Sequence, residues 1–128
     1  MSVLVDTSVL IDHLRGSRAA TALLQELFDA EGRVWAAVPS RTEIIAGVRD
    51  HERDAMDELF AILDWIDVDA SVADAAGHHA RRFARSHLGI DTTDYLIAAA
   101  AASVGARLVT LNVRHFPMFE GLEPPYAD

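Results

Sequence analysis

Short apolar runs alternate with amphipathic stretches along the whole chain. Residues 1–5 form an apolar run ended by Asp6-Thr7-Ser8, the pattern of a buried strand passing into a helix over 8–14 that Gly16-Ser17 breaks. Leu23, Leu24, Leu27 and Phe28 then recur at helical spacing with Gln25, Glu26 and Asp29 between them, which predicts an amphipathic helix over about 18–30, closed by Glu31-Gly32. A second apolar run at 34–38 is stopped by Pro39, and Ser40-Arg41-Thr42-Glu43 has the form of a capping box ahead of Ile44-Ile45-Ala46-Gly47-Val48. Met56, Leu59, Phe60 and Leu63 fall at i, i+3, i+4, i+7 with Asp54, Asp57 and Glu58 facing away, a further amphipathic helix, and 65–68 reads as a short strand. A helix over about 71–87 carries Val72, Ala76, Ala80, Phe83 and Ala84 on one side and Arg81, Arg82 and Arg85 mostly on the other. Residues 94–104 are nearly all apolar, so their helix is expected to be covered on most sides; Gly105 ends it, a strand follows over 107–111, and the tail after Phe116 is expected to be irregular. Strands alternating with helices predict an α/β fold with a parallel sheet, because a parallel neighbour needs a crossover connection.

Composition bounds what such a fold does. A chain of 128 residues, 51% hydrophobic and 24% charged, is the length of one domain over 1–128 and long enough to bury a core. No cysteine is present, which removes thiolate nucleophiles and thiolate zinc sites and leaves oxygen or imidazole as metal ligands. The start of the chain lacks the basic and apolar regions of a signal peptide, and the longest apolar run, 95–102, is far short of the roughly 20 residues that cross a bilayer. A cytoplasmic protein without membrane association is expected. Eleven basic residues against 20 acidic ones give a net charge of −9, a field that repels nucleic acid unless positive charge is local or cations intervene. All eleven basic residues are arginine, so no mechanism that needs a lysine applies.

Against that background the placement of a few acids carries weight. Asp6 directly follows the first strand, Glu43 lies within one turn of the second, Asp94 opens the nearly all-apolar helix, and Asp91 is one turn upstream of it. In a parallel sheet these positions share the carboxyl edge, where ligands bind at a topological switch point. Each acid also has a structural role open to it: Asp6 as a helix cap, Glu43 as the reciprocal partner of Ser40, Asp91 with Asp94 as the start of a helix. Carboxylates gathered on one edge repel one another unless a cation neutralises them, and hard oxygen ligands without sulfur favour Mg2+ or Mn2+. Such an ion supplies the positive potential that an acidic chain lacks, and makes a phosphodiester a sensible substrate.

Four segments in this order resemble the PIN-domain family and, within it, the VapC-type toxins of bacterial toxin–antitoxin pairs. They are Val3-Leu4-Val5-Asp6-Thr7-Ser8-Val9-Leu10-Ile11, Ser40-Arg41-Thr42-Glu43-Ile44-Ile45-Ala46-Gly47, Asp94-Tyr95-Leu96-Ile97-Ala98-Ala99-Ala100 and Thr110-Leu111-Asn112-Val113-Arg114-His115-Phe116, and the likeness covers almost the whole chain. The resemblance implies a three-layer α/β/α fold around a central parallel sheet of four or five strands, and an endoribonuclease that uses Mg2+ or Mn2+ to hydrolyse RNA. It implies that Asp6, Glu43 and Asp94 bind the metal, with Asn112 at a fourth site that the family fills with Asp or Asn; Asp91 is a further candidate ligand. Here the fourth corner is neutral, one charge fewer than the fully acidic pattern. Thr7 and Thr110 are placed to orient ligands or water, and Arg41 and Arg114 to contact phosphate or an acid of an inhibitory partner. The resemblance also implies a homodimer, inhibited by a small VapB-like antitoxin lying in an apolar groove near the site.

Other residues draw plainer readings. His78 and His79 are adjacent on a helix and point apart, so they are poor joint ligands and read as surface residues. His115 reads as structural, Trp35 and Trp65 as core, and Arg81, Arg82 and Arg85 either as a patch for RNA backbone or as a solvated helix face. Receiver-type and haloacid-dehalogenase-like sites also put Asp at strand ends, but both use a lysine that this chain lacks, and the second expects an Asp where Ser8 stands. A metal-binding module that holds RNA or a protein without cutting is the remaining alternative.

Overall fold

The computed structural model describes residues 2–127. In chain order its elements are β1 (Val3–Val5), α1 (Thr7–Leu14), α2 (Arg18–Glu31), β2 (Trp35–Ala37), α3 (Val38–Gly47), α4 (Arg53–Ile62), β3 (Asp64–Ile66), α5 (Ala70–Phe83), α6 (Thr92–Ser103) and β4 (Arg107–Val109), with 3-10 turns at Asp50–Glu52 and Val113–His115. All strands are parallel, in the order β3-β2-β1-β4. From β1 the chain builds outward through β2 to β3, then returns to the other side of β1 for β4. The direction of winding therefore reverses between β1 and β4, which opens a crevice beyond their carboxyl ends.

Period-2 alternation divides the strands between two cores. Val3, Val5, Ala36 and Val109 face one side and pack with Val9, Leu10, Leu24, Leu27, Ile44, Met56 and Leu59 of α1–α4. Leu4, Ala37, Ile66 and Leu108 face the other and pack with Val72 and Ala76 of α5 and with Tyr95, Ile97 and Ala98 of α6. The result is three layers, helices on both faces of the sheet. Each strand has only three residues, so it holds its place through burial, about 1.5–3 kcal/mol for a Val or Leu side chain, more than through length. The alanines at 98–101 are all buried, and their small size lets α6 lie close against both the sheet and α5. Gly32, at φ 73, closes α2 in the left-handed conformation that an L side chain resists.

Most predicted elements are present with ends moved by one to four residues; Met1 and Asp128 lie outside the described residues. The strand expected over 34–38 stops at Ala37, because Val38 and Pro39 already form the first turn of α3, where the missing proline N–H costs nothing. This corrects the capping box expected at Ser40 and Glu43. Ser40 is a fully buried residue inside the helix, and Glu43 is free of that pairing. Asp91 and Asp94 do start a helix, as expected, and form a capping box there: the Asp91 side chain accepts from the Asp94 N–H at 3.0 Å and the Asp94 side chain from the Asp91 N–H at 3.2 Å. Among the described residues no helix is long and apolar enough to cross a membrane.

Candidate active site

The crevice between β1 and β4 is occupied by a carboxylate held from two sides. Asp6 is 3% exposed, sits at the entry to α1, and does not spend its side chain on capping that helix. Instead its Oδ2 accepts from Thr110 Oγ1 at 2.7 Å and from Ser8 Oγ at 2.9 Å. Both hydroxyls are fixed in turn by backbone donors: the Asn112 N–H gives to Thr110 Oγ1 at 2.9 Å, and the Leu111 N–H to Ser8 Oγ at 3.2 Å. The ends of β1 and β4 are thus tied through one carboxylate oxygen.

Glu43 reaches the same edge from α3. Thr7 Oγ1 donates to Glu43 Oε1 at 2.7 Å, and Ser40 Oγ lies 2.7 Å from the same Thr7 oxygen. A hydroxyl has one proton, so the Thr7 proton goes to Glu43 and Ser40 donates to Thr7. Burial pushes the Glu43 carboxyl up, the bond from Thr7 pulls it down, and the charges of Asp6 and Asp91 raise it again.

Asp94 completes the group from the first turn of α6. Its Oδ2 takes the Asp91 N–H and lies 3.2 Å from His115 Nδ1 on the turn after β4. Burial pushes its carboxyl up to about 6; the backbone bond and His115 oppose this, while Asp91 and Asp6 add to it. The mutual repulsion of Asp6, Glu43, Asp91 and Asp94 places these acids in one electrostatic neighbourhood. Across Asp6, Glu43 and Asp94 the same pattern recurs: neighbours hold one oxygen, and these bonds leave the other unused. Yet among the described residues no three His, Asp or Glu side chains stand close enough to hold a metal ion as they are, so closing them on one ion takes side-chain movement.

The remaining candidates are placed differently. Asn112 is exposed and joins the site through its backbone N–H. Arg114, also exposed, lines a cleft beside His115. Arg41 turns away from the acids: two residues apart on a helix means about 200° of rotation, so Arg41 and Glu43 lie on nearly opposite faces. The Arg41 guanidinium sits 4.4 Å from the Phe60 ring centre and 4.7 Å from that of Trp65, both of which are only partly buried. Thr7 and Thr110 are buried and bonded to the acids. Sequence reasoning missed Ser8, Ser40 and the contact of His115 with Asp94. The Asp-x-Ser spacing at 6–8 held a signal for the first, since a serine there can fold back on the carboxylate.

Comparison with known proteins gives the family of the chain. Residues 3–118 match the model of the family described as "PIN domain". The chain is 48% identical to Ribonuclease VapC19 of Mycobacterium tuberculosis over 123 residues, which is 96% of this chain and 98% of that protein. It is 44% identical to Ribonuclease VapC10 of the same organism, over 98% of this chain and 93% of the other. A solved chain of a toxin–antitoxin complex from Klebsiella pneumoniae superposes with a TM-score of 0.81 at 21% identity, covering 98% of both, which speaks for the fold. The chain belongs to the PIN-domain family, among its VapC-type members.

Proposed function

We propose that this protein is an endoribonuclease dependent on Mg2+ or Mn2+, the toxin of a toxin–antitoxin pair, which hydrolyses RNA phosphodiester bonds at the edge formed by Asp6, Glu43 and Asp94. The observation that carries the proposal is the shared pattern of these acids, each with one oxygen steadied by a neighbour and the other unused in those bonds. The two relatives named as ribonucleases support the activity.

The donor chemistry fits a hard divalent cation: three carboxylates, no sulfur, and a repulsion that such an ion relieves. When bound, the ion supplies polarisation of a phosphoryl oxygen and a lowered pKa for an attacking water. The chain's own contribution is positional. Ser8 and Thr110 fix Asp6, Thr7 fixes Glu43, and His115 offsets part of the charge on Asp94. Such supports commonly matter tenfold to a hundredfold, because they set the direction of the ligand oxygens before substrate arrives.

A VapB-like antitoxin is the proposed partner, supported by the toxin–antitoxin complex among the structural neighbours. An apolar cleft of about 360 Å³ between α3 and α6, lined by Val38, Pro39, Val68 and Leu96 and reaching Glu43, suits a peptide segment. A homodimer working in the cytoplasm completes the proposal. The test is incubation of purified protein with labelled RNA and Mg2+ or Mn2+, with and without a chelator, alongside Asp6→Asn. Chelator-sensitive products from the wild type and none from the variant are expected. No such products would overturn the proposal and leave a binding module that does not cut.

A further inference from the structure

Charge is unevenly divided along this acidic chain. Between residues 75 and 119 there are five arginines and two acids, Asp91 and Asp94, a net of +3, which leaves −12 for the remainder of the total of −9. Four of the six histidines fall in the same segment. Three of the arginines, Arg81, Arg82 and Arg85, are exposed at the carboxyl end of α5 and just after it, and Arg114 is exposed on the turn that carries His115. The ion pairs found among the described residues, Arg33–Asp64 and His115–Asp94, involve none of these four.

The end of α5 and the turn that carries Arg114 border one depression. A cleft of about 460 Å³ is lined by Ser86, His87, Leu88, Val113, Arg114 and Pro117, so it joins the end of α5 to the turn after β4. A second one, of about 210 Å³, continues past Arg114 and Asn112 to His115, which touches Asp94. A path therefore runs from the catalytic acids over Arg114 to Ser86, the residue after Arg85 in the chain. Its surface also offers a ring and an apolar group, His87, which meets the core-packed Phe83 edge to face at 5.5 Å, and Leu88, which is 87% exposed.

We infer that this surface, from Arg114 to Arg81, Arg82 and Arg85, is the track that holds the single-stranded RNA flanking the cleaved bond. The inference rests on the ribonuclease reading and extends it to where the substrate lies. Arginines for phosphates, beside the His87 ring and the exposed Leu88 for bases, match a single strand better than an acidic peptide, which needs the arginines alone. The net positive charge of this segment also answers how a chain of −9 takes up a polyanion.

The test compares wild type, the R81A/R82A/R85A triple variant, a triple lysine variant at the same positions, and R18A/R53A as a control at exposed arginines elsewhere. Cleavage of a labelled single-stranded RNA is followed with divalent metal over a range of salt. The alanine triple is expected to raise KM at least about tenfold with kcat within about twofold, and to lower the slope of log(kcat/KM) against log salt by about 2, given roughly 0.7 per lost phosphate contact. The lysine triple should recover most of this, and the control none of the loss. Unchanged KM and salt slope in the alanine triple, with an active wild type, overturn the track and leave the ribonuclease reading intact. The same follows if the alanine triple keeps its RNA kinetics but loses affinity for a co-purified acidic protein, which would make the surface a protein dock. A wild type that neither cuts nor binds RNA overturns both.

Discussion

Asp94→Asn is expected to stabilise the metal-free protein while it abolishes cleavage. Burial, with the charges of Asp91 and Asp6, lifts the Asp94 carboxyl from 3.8 to about 6. A displacement of that size amounts to about 3 kcal/mol against ionisation in a site closed to solvent. The side chain is 14% exposed at the mouth of the crevice, where water and salt screen the repulsion, which leaves roughly 1–2 kcal/mol. Asparagine keeps an oxygen for the Asp91 N–H but gives up the favourable placement of a negative charge at the start of α6, about 0.3–1 kcal/mol. The repulsion is the larger effect, so the variant gains about 1 kcal/mol at neutral pH, or roughly 3–5 °C in Tm for a chain of this size. Because the folded protein keeps the Asp94 proton to higher pH than the unfolded chain does, wild-type stability falls as pH rises from about 4 to 6 and stays lower above that window. The variant lacks this fall. Thermal melts in chelator at pH 4, 5, 6 and 7.5 should show a gap that opens between 4 and 6. A variant that melts at or below the wild type at pH 7.5, or a gap of the same size at every pH, would refute the reasoning.

Two further substitutions separate support from bystanders. Thr110→Val removes a buried hydroxyl that gives to Asp6 and takes from the Asn112 N–H, which should cost about 1–3 kcal/mol in urea denaturation and slow cleavage tenfold or more, with Thr110→Ser recovering both; a stable, fully active valine variant would contradict the role given to this hydroxyl. Arg41→Ala removes two ring contacts from one guanidinium and should cost roughly 1–2 kcal/mol of stability while kcat/KM stays within about twofold, so a large loss of cleavage from a stably folded variant would return Arg41 to the site.

The layers, the parallel sheet and the strand-end acids were legible in the sequence because each depends on local pattern: short apolar runs, helical stripes, and an acid directly after an apolar run. The capping reading of Ser40 and Glu43 failed because Pro39 started α3 earlier than the motif suggested, a competition between two local signals that only the packing of Ser40 against Thr7 decides. His115 could not be placed from its neighbours in sequence. Its approach to Asp94, 21 positions earlier, depends on how the turn after β4 folds across the start of α6. The arginines at the end of α5 were legible as a patch in the sequence, but the link between that end and the turn of Arg114 needed the cleft that joins them.

The site also explains its own charge count. By resemblance the fourth corner falls on Asn112, which is neutral and exposed and contributes a backbone donor. The fourth negative charge felt at the site comes instead from Asp91, which raises both Glu43 and Asp94 although it sits on a helix start and no strand end. Asp91 therefore does two things at once: it caps α6 and it charges the crevice. An aspartate at 112 would have added a further repulsion to a group that already resists ionising at Asp94. A neutral fourth corner with a charged cap keeps the field of four carboxylates while one of them is stabilised by the helix it begins.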